Sequence, residues 1–97
     1  MTELSAADPA VRQARAAEAQ TYAPVELRFA EDKLSRARSA ADAEEYTLAI
    51  ELAAQAQVDG ELAEAKSLAA RARAEVRQKT EENARMSREL LGEGERP

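Results

Sequence analysis

Histidine, cysteine and tryptophan are absent from this chain, and aromatic residues make up 3% of it. Without histidine, no side chain has an unperturbed pKa suited to general acid–base work near neutral pH. Without cysteine there is no disulfide, no thiolate nucleophile and no usual structural zinc site, and the redox compartment is left open. The three glycines and three prolines form no glycine-rich phosphate loop. No apolar run reaches the roughly 18 residues a membrane-crossing helix needs. The opening MTELSAADP has neither the basic n-region nor the apolar h-region of a secretory leader. The chain is therefore expected to be cytoplasmic, or an exported protein whose leader has been removed.

What is present is alanine and charge. The AVILMFWYC class is 44% of 97 residues, and alanine alone is roughly a quarter, well above ordinary usage. Alanine is the best helix former but buries little area, so helix length and propensity must stand in for a bulky core. A chain of this length allows one small domain. Nineteen acidic against 14 basic residues give a net charge of −5. That balance argues against nucleic acid, whose affinity comes mainly from phosphate neutralisation by Lys and Arg.

The spacing predicts an all-α protein of three helices, over about 9–20, 24–42 and 46–91, in a single domain 8–91 with a disordered tail 92–97. Asp8 caps the first helix and Pro9 occupies its first position, with Val11, Ala14 and Ala17 as its apolar side. Pro24 forces a break near Thr21–Ala23 and starts the second helix, with Glu26 in the positive first turn. Leu27, Ala30, Leu34, Ala37 and Ala41 form one face of it. A short turn over 42–45 leads to the long third helix at Tyr46. There Leu48, Leu52, Ala56, Leu62, Ala65 and Ala69 begin a stripe that continues through Ala72, Val76, Met86 and Leu90. Gly60 lies inside this helix at a cost of about 1 kcal/mol. The second and third helices are expected to be antiparallel, and the first to lie along or across the third. Tyr22 and Tyr46 are expected to plug the ends of the helical pair, rings buried and hydroxyls wet.

Charge is segregated along the long helix. Between Ser39 and Ala65 the only charges are acidic, and then Lys66, Arg71, Arg73, Arg77 and Lys79 follow with Glu75 alone opposing. Catalysis has no base, nucleophile or pocket to work with, so no enzyme, cofactor or catalytic residue is predicted. The cluster Asp42, Glu44 and Glu45 lacks the spacing and glycine of a calcium loop, so no metal is expected. An interfacial membrane helix wants large apolar residues opposite its basic ones, and the long helix has no Phe or Trp. A peripheral contact through Arg71, Arg73 and Arg77 remains as an alternative.

EEYTLAIELAAQA, residues 44–56, is similar to the second-helix start of tetratricopeptide units, where a tyrosine and small residues let two helices approach closely. No second copy of that repeat of about 34 residues is present. YAPVELRFAEDKLSRARSA (22–40) followed by EEYTLAIELAAQAQVDGELAEAK (44–66) resembles an uncharacterised bacterial family, domain of unknown function forty-three ninety-eight. Tyr22-Ala23-Pro24 with Glu26-Leu27, and Tyr46 with the small residues after it, carry the resemblance. It implies an exported envelope protein of the periplasm or cell envelope, often a lipoprotein, sometimes followed by a peptidoglycan-binding domain of the OmpA type. Peptidoglycan or envelope association is implied with it, and no catalytic residue.

These readings converge on a non-enzymatic envelope module that presents a long helical surface to an unknown protein partner or to itself. The alternative is a peripheral cell-wall or membrane-surface binder. Lys66, Arg71, Arg73, Arg77, Met86 and Leu90 are the expected interaction surface. If residues 9–42 cover one side of the third helix about a turn at Glu44, residue 9 lies opposite about residue 79. Lys79 and Asn83 then interrupt the seam of a coiled coil. A weak antiparallel homodimer centred near Leu62 would set the acidic stretch of each chain against the basic stretch of the other.

Overall fold

The computed structural model describes residues 2–95, with side-chain surroundings from 4 to 92. All the regular structure among them is helical: α1 (Thr2–Ala16), α2 (Ala19–Tyr22), α3 (Pro24–Asp42) and α4 (Tyr46–Glu95). Four helices stand where three were expected, because the break before Pro24 has two parts. Glu18 adopts the left-handed conformation at φ 67° and ends α1, with its amide donating to the Arg15 carbonyl at 2.9 Å. One helical turn follows. Ala23, at φ −148° and ψ 55°, then sits outside the α region as a residue before proline must, and α3 starts on Pro24.

The expected start at Asp8 and Pro9 is overturned: α1 begins near Thr2 and Pro9 lies inside it. A proline within a helix costs about 3 kcal/mol in isolation, but tertiary contacts commonly outweigh propensity. Here Ala7 is fully buried and Leu4 packs against the core, and both are contributed by the residues before the proline. Asp8 makes no cap. Its carboxylate accepts from Arg38 on α3 at 2.7 Å and from Arg12 one turn along at 3.0 Å.

The second reversal is a left-handed cap on Glu44, at φ 61°. The Glu45 amide donates to the Ala40 carbonyl at 2.8 Å and the Glu44 amide to Ala41 at 3.0 Å, the paired bonds of a Schellman motif. Glycine is the usual residue there, and this chain uses glutamate at both reversals.

Ion pairs between helices give their directions. Glu26 meets Lys66 and Lys33 meets Asp59, so α3 and α4 run antiparallel. Asp8 meets Arg38 and Arg15 meets Glu31, so α1 and α3 also run antiparallel. By consequence α1 runs parallel to α4, with Ala10 against Gly60 and Glu18 near Arg71. The first helix thus packs along the long one. Because α1 folds back at Glu18 rather than extending α3, residue 10 lies at residue 60, and the mirror placement of residue 9 opposite 79 does not occur.

The core is built almost wholly of alanine, with Val11, Leu27, Leu34 and Leu52 as its larger members. Such a core is thin, and the molecule measures 81 × 18 × 13 Å. Its radius of gyration, 21.3 Å, compares with roughly 12–13 Å for a globule of this length. The excess is α4, which extends beyond its partners: every residue from Glu75 to Leu91 is exposed. The stop expected at Gly92 is absent, and α4 continues to Glu95. Arg96 and Pro97, the end of the expected disordered tail, lie outside the described residues.

Candidate interaction surface

The long helix α4 has two faces of different chemistry. The inner face carries Ala49, Ala53, Ala56, Gly60, Ala63 and Ser67, all buried, and continues to the half-buried Ala70 and Ala74. These positions alternate steps of four and three, which keeps a seam against neighbouring helices, and each residue is small. Gly60 shows why. A Cβ there would lie 3.0 Å from the Ala10 carbonyl carbon, 3.1 Å from its oxygen and 3.2 Å from the Ala10 Cβ. Small residues on α4 let the α1 backbone approach, and α1 and α3 both dock on this seam.

The sequence stripe met this seam at Leu52 and Ala56, both buried, and pointed away from it elsewhere. Leu48 is 42% exposed and Leu62 46%, because Ala49 and Ala63 one position on already fill the contact, and Val76, 65% exposed, lies beyond the part of α4 that α1 and α3 cover. Apart from the buried Leu52, the large apolar side chains of α4 therefore face outward. Val58, Leu62, Ala65, Ala69, Ala72 and Val76 form a second stripe, on the side of α4 away from α1 and α3, and all six are exposed. Beyond Lys79 and Asn83 the stripe resumes with Met86 and Leu90, 57% and 67% exposed.

The residues of the tyrosine–proline motif do structural work at the other end. Pro24 is the first residue of α3, and Ala23 and Leu27 are buried. Glu26 accepts a hydrogen bond from Lys66 Nζ at 2.6 Å. That bond, aided by a backbone amide, holds the Glu26 carboxyl below its ordinary value of 4.5. Tyr22 and Tyr46 do not plug the helical pair. They are 37% and 53% exposed.

The basic part of α4 is divided between two tasks. Lys66 ties α4 to α3 through Glu26, and Arg71 reaches Glu18 at the α1 reversal at 3.9 Å. Arg73 and Arg77 are exposed. Lys33 is shared between Asp59, at 2.7 Å, and the ring of Phe29, 5.9 Å from its centroid. Exposed pairs of this kind contribute only about 0–1 kcal/mol each; their value here is in fixing register between smooth alanine surfaces.

A family model described as Domain of unknown function (DUF4398) matches residues 2–79. The chain belongs to that family. The matched span takes in α1, α2, α3 and α4 as far as Lys79, so the family's domain contains the whole alanine core and the stripe from Val58 to Val76, while Met86 and Leu90 lie beyond it. No curated protein and no solved structure matches the chain. Among the described residues no helix is long and apolar enough to cross a membrane, and no three carboxylates converge as metal ligands would. The surface recesses, such as the one lined by Gln20, Pro24, Leu27, Arg28, Glu31 and Asp32, are open to solvent.

Proposed function

We propose that this family member is a non-enzymatic helical module of the bacterial cell envelope, and that it works by presenting the outer face of α4 to another protein or to a second copy. The observation that carries the reading is the inversion of size across α4. Alanine fills the inside while Val58, Leu62, Leu68, Val76, Met86 and Leu90 stand exposed. Large apolar side chains gathered along one surface favour an interaction site. The envelope location rests on the resemblance in Tyr22-Ala23-Pro24 and Glu26-Leu27. A wall- or membrane-surface binder using the basic segment is less favoured, since Lys66 and Arg71 are engaged with Glu26 and Glu18.

The test is affinity capture of the intact protein from envelope extract, beside a Leu62→Asp/Val76→Asp variant, together with sedimentation of both proteins. A partner or dimer formed by the wild type and lost in the folded variant supports the reading. Equal behaviour of the two proteins contradicts it. Reproducible turnover of an envelope substrate, lost on changing one carboxylate, would overturn the non-enzymatic part.

A further inference from the structure

The outer stripe has the period of a two-stranded coiled coil. Leu62, Ala69, Val76, Asn83 and Leu90 recur every seven residues, and Val58, Ala65, Ala72, Lys79 and Met86 recur every seven between them, offset by three or four. In heptad terms the first set is a and the second d, the two positions that meet a partner helix. The inner seam then falls on b and f, on the side where α1 and α3 pack, so a helix laid on a and d meets neither.

We infer that the occupant of this face is a second copy of the chain, with the two α4 helices parallel and in register. This rests on the interaction reading above and narrows it. Charge decides the orientation. The g positions beside the stripe are Glu61, Leu68, Glu75, Glu82 and Glu89, and the e positions are Asp59, Lys66, Arg73, Thr80 and Ser87. Antiparallel helices bring g against g and e against e. With Ala69 opposite Ala65, Glu61 meets Glu75 and Lys66 meets its own copy. A shift of one heptad sets Glu61 against Glu82 and Lys66 against Arg73, and a second shift sets Glu61 against Glu89 and Glu75 against itself. The first also sets Asp59 against Arg73, but like-charge contacts outnumber opposite ones in each of these arrangements.

Parallel helices bring g of one chain against e of the other, five residues on. Glu61 then meets Lys66, and Leu68, Glu75 and Glu82 meet Arg73, Thr80 and Ser87, with no like-charge pair between g and e, although at d Lys79 faces its own copy. The antiparallel pairing centred near Leu62, with Leu62 opposite Ala65, is attractive from charge but sets Val76 against Glu51 and leaves Met86 and Leu90 with no α4 partner.

Register is set by Asn83. In a parallel pair it faces its own copy and the two side-chain amides hydrogen-bond. A slip of one heptad sets it against Val76 or Leu90 and leaves a polar group buried without a partner. Lys79 at a d position weakens the pair, but its ammonium can leave the seam and lies 3.5 Å from Glu75 of its own chain. The product is a flat assembly with α4 at the centre and α1 and α3 on its two outer sides.

The chain has no cysteine, so single cysteines report the geometry. In Ala65→Cys and in Met86→Cys, each introduced thiol meets its own copy across a parallel in-register pair, and both variants form disulfide dimers under mild oxidation at low protein concentration. The two positions are roughly 30 Å apart along α4, so no antiparallel register cross-links both. Leu62→Asp, which sets two carboxylates face to face in the seam, should raise the dimer dissociation constant at least about 100-fold with helix content retained. A dimer in which only one of the two cysteines cross-links sinks the parallel geometry while self-association stands. A monomer at high concentration that still captures another protein through α4 sinks the second copy as occupant and leaves the interaction reading. A monomer that captures nothing sinks both.

Discussion

Replacing Gly60 with alanine sets two effects against each other, and the structure says which wins. In an open helix the change stabilises by about 1 kcal/mol, because glycine loses more backbone freedom than alanine on folding. At Gly60 the added methyl would stand 3.0–3.2 Å from three atoms of Ala10. Two of the three belong to the α1 backbone, which cannot swing aside as a flexible side chain would, so α1 must lift by a few tenths of an ångström along its length. Overpacking of that kind costs about 1–3 kcal/mol, and the net expectation is a loss of about 0–2 kcal/mol. Gly92 is the control: a Cβ there meets nothing within 4 Å, so Gly92→Ala stabilises by up to about 1 kcal/mol. Urea unfolding followed by far-ultraviolet circular dichroism measures both, and amide exchange should show reduced protection in α1 of Gly60→Ala alone. A Gly60→Ala protein more stable than wild type would refute the close approach of α1 to α4.

Three further substitutions test separate parts of the fold. Glu44→Gly should stabilise by about 0.5–1 kcal/mol in thermal melts, because glycine adopts φ 61° without the strain of a Cβ, whereas Glu44→Ala should bring no such gain. Ser67 is fully buried with its Oγ unpartnered, so Ser67→Ala should raise stability by about 1 kcal/mol in urea titrations; a loss would mean the hydroxyl has a partner. Glu26 has a folded pKa below 4.5, so it binds its proton less readily folded than unfolded, and its contribution is present above that ordinary value and lost as pH falls through the depressed one. The stability gap between wild type and Glu26→Gln should therefore be constant above about pH 5 and close in more acid solution, and a gap that widens on acidification would contradict the Lys66 bond as its cause.

Much of this architecture can be read from the sequence where proline and periodicity act together. Pro24 fixes both the break before α3 and its first residue, and Leu27, Ala30, Leu34 and Ala37 keep their face because no other residue competes for it. The misreadings have physical causes. Asp8-Pro9 has the form of a helix start, but Leu4 and Ala7 find burial that outweighs an interior proline. Both reversals use left-handed glutamates, which no turn signal in the sequence marks. On α4 Leu52 and Ala56 are buried as expected, but Leu48, Leu62 and Val76 drew attention to the wrong side, since area-based reasoning expects the larger residue to be buried. The regular four–three spacing of Ala49, Ala53, Ala56, Gly60, Ala63 and Ser67 was visible throughout, and the presence of glycine in that series was the signal that the inner face is chosen for closeness. The expected surface residues Met86 and Leu90 are exposed, whereas Lys66 and Arg71 are drawn into holding the core.

The most direct test of this account compares two neighbouring residues on opposite faces of α4. Ala63 is fully buried, while Leu62 is 46% exposed, although composition-based reasoning ranks the leucine as the core residue. Ala63→Asp should place an unpaired carboxylate in the seam with α1 and α3 and destabilise by several kcal/mol. Leu62→Asp, measured at a protein concentration where any dimer has dissociated, should change stability by less than about 1 kcal/mol. Thermal melts of the two variants, side by side, decide the matter. A protein unfolded by Ala63→Asp and nearly untouched by Leu62→Asp is the predicted result; the reverse order would show that the large apolar residues of α4 face inward and that its outer stripe is not a surface at all.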